Sequence, residues 1–274
     1  MSEPDAPGLA DHGFADPGFA DHFSAVARAY ADARPAYPTA LYDGIAALAP
    51  GRALAWEAGC GSGQATRGLA AAFAAVHATD PSAAQIAQAP ALDNVRFAVE
   101  PAEACSLADG VADAVCVAQA LHWFDRPRFF AECTRVLRPG GVLAVWGYQD
   151  IVLLGDDGAP LHADDPLMRA HAAFQREILP YWPVERALVD AAYADVAFPF
   201  APASLAAPDA IRVDWPLPRL LAYFSSYSAT KRCREAHGVD PLAAHAPALA
   251  AAWGDPARPR PLRWPLFVHA RRKA

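Results

Sequence analysis

The stretch Glu57-Ala58-Gly59-Cys60-Gly61-Ser62-Gly63 points to chemistry more directly than any other in the chain. Glycines at alternate positions let a backbone turn tightly and approach a ligand that a Cβ would push away. A dinucleotide site asks for G-x-G-x-x-G, and counting from Gly59 the third glycine position holds Gln64. No Lys-Ser/Thr pair follows the glycines, so the turn is not a phosphate loop. Glu57, just ahead of the turn, would repel a pyrophosphate and suits a ligand with an ammonium or sulfonium group. Asp80 ends the next apolar run, where a carboxylate can accept both hydroxyls of a ribose. Turn, preceding acid and later acid together predict a cationic nucleoside ligand.

A second candidate is His122, beside Trp123 and just after another apolar run. An imidazole with its ordinary pKa near 6.5 can take a proton from a reacting group, or it can hydrogen-bond a loop and order the site. Other polar residues read as structural. His77 lies inside a strand pattern, and Asp156, Asp157, His162, Asp164 and Asp165 fit no calcium loop and read as a solvated acidic loop. Ser225, Ser226 and Ser228 lack the context of a nucleophile elbow. Arg271, Arg272 and Lys273 are expected to end the chain's last strand in solvent. Five dispersed cysteines without a C-x-x-C pair suggest neither a disulfide scaffold nor a metal site, and no metal is expected.

These groups need elements to position them. Phe23, Val26, Ala27 and Tyr30 recur at helical spacing until Arg34-Pro35, and a second helix follows Pro38 through Leu41, Ile45 and Leu48. From Arg52 to Tyr148 apolar runs alternate with helical segments. LAWEA, AAVHATD, VRFAV, DAVCVAQAL and VLAVWGY read as strands, with helices in GQATRGLAAAF, SAAQIAQA and RPRFFAECTRVL, the last stopped by RPGG. Alternating strands and helices mean parallel crossovers, hence an open, doubly wound, mostly parallel α/β sheet that binds ligands at the strands' carboxyl ends. IRVDWPL and LRWPLFVHARR add an antiparallel hairpin at the sheet edge, giving seven strands.

Composition narrows the functions. The chain has 274 residues, 54% hydrophobic and 19% charged, enough for one full core. Residues 1–22 carry Glu3, Asp5, Asp11, Asp16 and Asp21 without a Lys or Arg, and read as a flexible acidic tail supplying −5 of the net −7. The nearly neutral body, residues 23–274, reads as a single domain and offers no basic face to a nucleic-acid backbone. No long apolar run suggests a membrane span, and a cytoplasmic monomer or homodimer is expected.

EAGCGSG, the strand-end Asp80, PAEA after VRFAV, VAQALHWFD after the fourth strand and RVLRPGGVLAVWGY resemble the class I S-adenosylmethionine-dependent methyltransferases, in particular the methyltransferase type 11 group. FSAVARAYADARPAYP is similar to the helix preceding the core in relatives of trans-aconitate methyltransferase. The resemblance implies a Rossmann-like methyltransferase fold with S-adenosylmethionine as cofactor. It places Gly59, Gly61 and the backbone around Cys60 along the methionine moiety, with Glu57 supporting the ammonium group. Asp80 would hold the ribose, Ala102 and Glu103 would frame the adenine, and Gln119 would lie beneath the methionine portion. Tyr30 and Arg34 would close over the cofactor, Arg34 meeting its carboxylate. Many members carry an acid where Pro101 stands, so recognition of the adenine amine falls to other groups.

A sulfonium methyl is already activated, so the protein chiefly has to align the acceptor and exclude water. The segment 149–210 is too long for a plain connection and reads as a lid or substrate insert. It carries Tyr181, Trp182, Pro183, Tyr193, Phe198 and Phe200 toward Trp123 and Tyr148. These aromatics form either an acceptor pocket, with Trp123, Tyr148 and Trp182 foremost, or the insert's own core, which would move the pocket to Phe224 and Tyr227. The expected activity is methyl transfer to a small-molecule acceptor at a carboxylate or hydroxyl oxygen. A nicotinamide-dependent reductase, opposed by Gln64 and Glu57, and a non-catalytic S-adenosylmethionine-binding regulatory protein are the alternatives.

Overall fold

Apolar runs of five to seven residues with turn residues between them suit strands buried on both faces. In a computed structural model, which describes residues 34–274, they take that form. The tail, the helix expected from Phe23 and Tyr30 itself lie outside the described residues. The first half runs α1 (Thr39–Leu48), β1 (Leu54–Ala58), α2 (Thr66–Ala72), β2 (Ala75–Asp80), α3 (Ala83–Ile86), β3 (Val95–Val99), β4 (Ala112–Ala118), α4 (Arg126–Val136) and β5 (Leu137–Tyr148). There follow β6 (Val152–Leu153), α5 (Pro166–Ile178), α6 (Arg186–Asp190), β7 (Ala201–Pro202), β8 (Ala210–Trp215), α7 (Leu217–Ser225), α8 (Ser228–His237), α9 (Pro241–Trp253) and β9 (Arg260–Arg272).

Strands β1 to β5 pair in parallel in the order β3-β2-β1-β4-β5, and the mostly parallel, doubly wound sheet is the expected one. The order reverses between β1 and β4, which opens a crevice at their carboxyl ends. The sheet has nine strands rather than seven, because the two-residue β6 and β7 also pair with β9. β8 and β9 pair antiparallel as anticipated, with Ile211 opposite Trp264, and α7, α8 and α9 lie between them in the chain. β9 is long enough to pair with β8 through its first half and with β5 through its second.

Buried side chains lie on both faces of the sheet. Leu41, Ile45, Leu69, Val76 and Trp146 belong to one cluster, and Trp56, Val115, Leu121, Phe129 and Leu143 to the other. Fully buried Asp113 anchors the start of β1. Its Oδ2 accepts from the Ala53 and Leu54 amides at 2.8 and 2.9 Å, and Arg138 pairs with Oδ1 at 3.0 Å.

Local outcomes differ from the sequence reading in three places. RPGG does not separate α4 from the next strand; Arg138 to Gly141 already belong to β5, and a register shift between Ala112 and Ala114 absorbs them. SAAQIAQA closes only one helical turn, capped by the Ser82 hydroxyl. Arg271, Arg272 and Lys273 are not left in solvent. Arg272 donates to the carbonyls of Gly140 and Leu48 at 3.0 and 2.8 Å, and Lys273 Nζ to those of Thr134 and Leu137 at 2.6 Å. Carbonyls in the last turn of a helix lack intrahelical partners and attract cations, which explains the docking at the ends of α1 and α4.

Candidate active site

The turn after β1 adopts a backbone that only glycine tolerates. Gly59 has φ +70°, and a Cβ there would lie 2.8 Å from the Ala120 Cβ and 2.9 Å from the Phe124 ring. The amides of Gly59 and Cys60 both donate to the Thr79 carbonyl, at 2.8 and 2.9 Å, tying the turn to the end of β2. Asp80 Oδ2 accepts from the Gly61 amide and Oδ1 from the Ser82 amide, each at 2.9 Å. The carboxylate is thereby aimed along the crevice, with lone pairs left over for two hydroxyls.

Glu57, 1% exposed, accepts a hydrogen bond from the Thr66 hydroxyl at 2.6 Å. Burial pushes its pKa up to about 8; the Thr66 bond opposes the rise and the Asp80 charge adds to it. A cation arriving beside Glu57 restores the ionised form, so the group favours a positively charged ligand.

A cavity of about 520 Å³ follows the turn. Glu57, Gly59, Cys60, Gly61, Asp80, Ala102, Glu103, Gln119, Tyr148 and Arg34 line it. Every cofactor residue expected from the sequence and lying within the described residues therefore faces one cavity. Tyr37, Ser226 and Lys231 also line it and were not anticipated; the sole advance signal was that Lys231 is one of two lysines in the chain.

Gln119, at the end of β4, has φ +55°, an unusual conformation for a residue with a Cβ. Its side-chain amide bonds the Tyr148 backbone in both directions, donating to the carbonyl at 3.1 Å and accepting from the amide at 2.9 Å. One side chain thus extends the pairing of β4 with β5 past the end of the sheet and holds Tyr148 at the cavity wall.

A second, smaller cavity of about 170 Å³ adjoins the first. Arg34, Gln119, Trp123, Tyr148 and Ser226 line both, and His122, Trp182, Arg186, Tyr223 and Tyr227 are among the further residues of the smaller one, with the polar Gln149, Asp150 and Ser228. Trp182 lies against the Tyr227 ring and under the Arg186 guanidinium, 3.8 Å from its centroid. Arg186 is itself paired with Asp150 at 2.5 Å and Asp190 at 3.2 Å. His122 Nδ1 is 2.8 Å from the Tyr193 hydroxyl, and burial lowers the imidazole pKa to about 4.

The insert's aromatics divide between the two roles considered for them. Trp182 lines the small cavity, while Tyr193 is fully buried and Phe198 packs against the second core cluster. Tyr227 also reaches the cavity, whereas Phe224 is core. Arg186 and Tyr223 had no motif to mark them. Among the described residues, no group of three or more His, Cys, Asp or Glu could hold a metal ion, and no helix is long and apolar enough to cross a membrane.

Residues 56–145 match the family described as Methyltransferase domain. A Dictyostelium discoideum protein named as a methyltransferase is 32% identical over 216 residues, spanning 77% of this chain and 78% of its own. The solved structure of a protein named as a type II methyltransferase, from Anaeromyxobacter dehalogenans, is 41% identical with a TM-score of 0.76, covering 87% of this chain and 97% of that one. The trans-aconitate 2-methyltransferase of Deinococcus radiodurans is 42% identical over 108 residues, 37% of this chain and 41% of its own.

Proposed function

The chain belongs to the S-adenosylmethionine-dependent methyltransferases, and from that premise we propose that it methylates an oxygen of a small, partly apolar molecule seated in the 170 Å³ cavity. The observation that carries this reading is the shared wall of the two cavities, where Gln119, Trp123 and Tyr148 face both. S-adenosylmethionine, when bound, supplies a methyl group already activated by its sulfonium centre. Glu57 would meet the cationic part of the cofactor, Asp80 the ribose hydroxyls, Ala102 and Glu103 the adenine, and Arg34 the carboxylate. Gln119 would support the methionine portion while its side-chain amide holds Tyr148 in place.

The protein's share of the reaction is to align the acceptor and keep water out, which accounts for up to about 7–11 kcal/mol of a barrier. Trp123, Tyr148 and Trp182 supply flat apolar walls, and the insert over residues 149–210 serves as the covering wall of the acceptor site. A cavity of about 170 Å³ lined by aromatic and polar groups suits a small acceptor. The Deinococcus relative is named for trans-aconitate, a molecule of that order. Arg186, balanced by Asp150 and Asp190, contributes little net charge to the cavity.

The test is a screen of small acids and alcohols for acceptor-dependent release of S-adenosylhomocysteine, beside calorimetric titration of the protein with S-adenosylhomocysteine. Binding together with turnover on an oxygen acceptor supports the reading. Turnover confined to nitrogen or carbon acceptors sinks the oxygen assignment, and binding without turnover on any acceptor favours a regulatory cofactor-binding role.

A further inference from the structure

We infer that Tyr193 holds His122 as a hydrogen-bond donor, its proton on Nε2 and directed at an oxygen of the acceptor, so that His122 does not serve as the reaction's base. The inference rests on the reading of the small cavity as the acceptor's site. His122 lies on the single 3-10 turn Leu121–Trp123 that follows β4 and lines that cavity.

The hydrogen-bond inventory decides the tautomer. Tyr193 is fully buried, and among the described residues the one side-chain group its hydroxyl meets is His122 Nδ1, at 2.8 Å. A buried O–H must donate, and Nδ1 can receive it only when that nitrogen carries no proton. The neutral ring then carries its proton on Nε2, which has no hydrogen-bond partner among the described residues and is not enclosed by protein.

The backbone around Tyr193 shows that its position is enforced. Ala192 and Tyr193 take φ +50° and +54°, two consecutive left-handed residues with side chains, an arrangement that persists only when its surroundings hold it. Here the Tyr193 amide donates to the Leu188 carbonyl at 2.8 Å, and His269 Nε2 donates to the Ala192 carbonyl at 2.7 Å. The charged groups acting on the imidazole are Glu185, which favours its protonation, and Arg186, which opposes it; Arg34 and Asp150 line the same cavity. Burial outweighs them and keeps the ring neutral at physiological pH.

An imidazole fixed in this way serves an acceptor that arrives with its oxygen already deprotonated, because it offers that oxygen a proton in a hydrogen bond and removes none. Tyr193 is a positioning residue in this scheme, acting only through His122.

Two measurements on the full chain test it. Nitrogen NMR of histidine-labelled protein saturated with S-adenosylhomocysteine reads the tautomer without any acceptor. Protonation at Nε2, lost to a mixture in Tyr193→Phe, supports the inference; protonation at Nδ1 overturns it. In turnover assays, His122→Gln retains a donor but no base and is expected to lose no more than about fivefold in kcat/KM, whereas His122→Leu loses at least about twentyfold. Equal losses in the two variants, or an acidic limb in the wild-type pH profile that vanishes in His122→Gln, would show His122 to be a base. Unchanged S-adenosylhomocysteine affinity in each variant establishes that it is folded, and failure of that titration in the wild type would count against the methyltransferase reading itself.

Discussion

The cofactor cleft takes most of its chemistry from residues 57–120, at the ends of four neighbouring strands, and much of its polar geometry runs through backbone amides. The small cavity beside it takes Trp182 and Arg186 from the insert, Tyr223 and Tyr227 from the α7–α8 corner, and His122 from the turn after β4. In the cleft, a few residues of required type impose a backbone that would otherwise be strained, and on the proposed reading that backbone would recognise the cofactor. In the cavity, side chains from distant segments meet one another, and on the proposed reading their shapes and hydrogen bonds would select the acceptor. The cleft should therefore fail abruptly at a few positions, while the cavity should change its substrate preference gradually.

The largest expected effect is at Asp80. Asp80→Ala removes acceptors for both ribose hydroxyls and releases the Gly61 and Ser82 amides, each charged hydrogen bond being worth about 1.5–3 kcal/mol. Affinity for S-adenosylhomocysteine, measured by calorimetry, is expected to fall by at least about tenfold. An unchanged value in a folded variant would remove Asp80 from the cleft.

Trp182→Ala should act on the other side of the shared wall. Loss of an aromatic wall and of its contact with Arg186 is expected to raise the acceptor's KM by about tenfold with no change in cofactor affinity. If the variant instead lost S-adenosylhomocysteine binding, cleft and cavity would be one cooperative unit and the contrast drawn above would fail.

A smaller effect comes from Glu57. Its pKa is raised by burial to about 8, so the free folded protein holds a proton there that the unfolded chain, near the ordinary carboxylate value, has already lost at neutral pH. The native state binds more protons across that interval, and this group's contribution to stability therefore declines as pH rises toward 8 and is fully present only in acid. A cationic ligand requires the ionised form, so cofactor affinity should rise from pH 6 to 8 by no more than about tenfold per unit. Calorimetry in buffers of different ionisation enthalpy should register the released proton, and Glu57→Gln should abolish both the release and the slope. A pH-independent affinity in the wild type would mean that Glu57 is not coupled to the ligand's charge.

The smallest effect is expected from removing residues 1–22, whose composition offers little apolar surface to offset ordering. Melting temperature and S-adenosylhomocysteine affinity should both stay put, and a clear drop in either would add that segment to the cleft.

The glycine turn, Glu57, Asp80 and the alternation of β1 to β5 were legible in the residues alone, because tight turns, buried strands and parallel crossovers each tolerate few residue types at fixed spacing. That turn and its two acids were enough to specify a cationic nucleoside ligand before any coordinates. The chain's local pattern did not show that α3 would close only one turn, nor that Arg272 and Lys273 would reach the ends of α1 and α4. It marked Trp182 as a candidate for the acceptor pocket and Lys231 only as one of two lysines, and it left Arg186 unmarked. Tertiary structure alone decided that Arg186, Tyr223 and Tyr227 would meet His122 around one cavity, and that Tyr193 would be pinned against Nδ1. The physical reason is range. A backbone conformation is set by neighbours a few residues away, whereas a cavity is the space left when segments far apart in the chain pack against β5 and β9, and no short spacing records which side chains will border it.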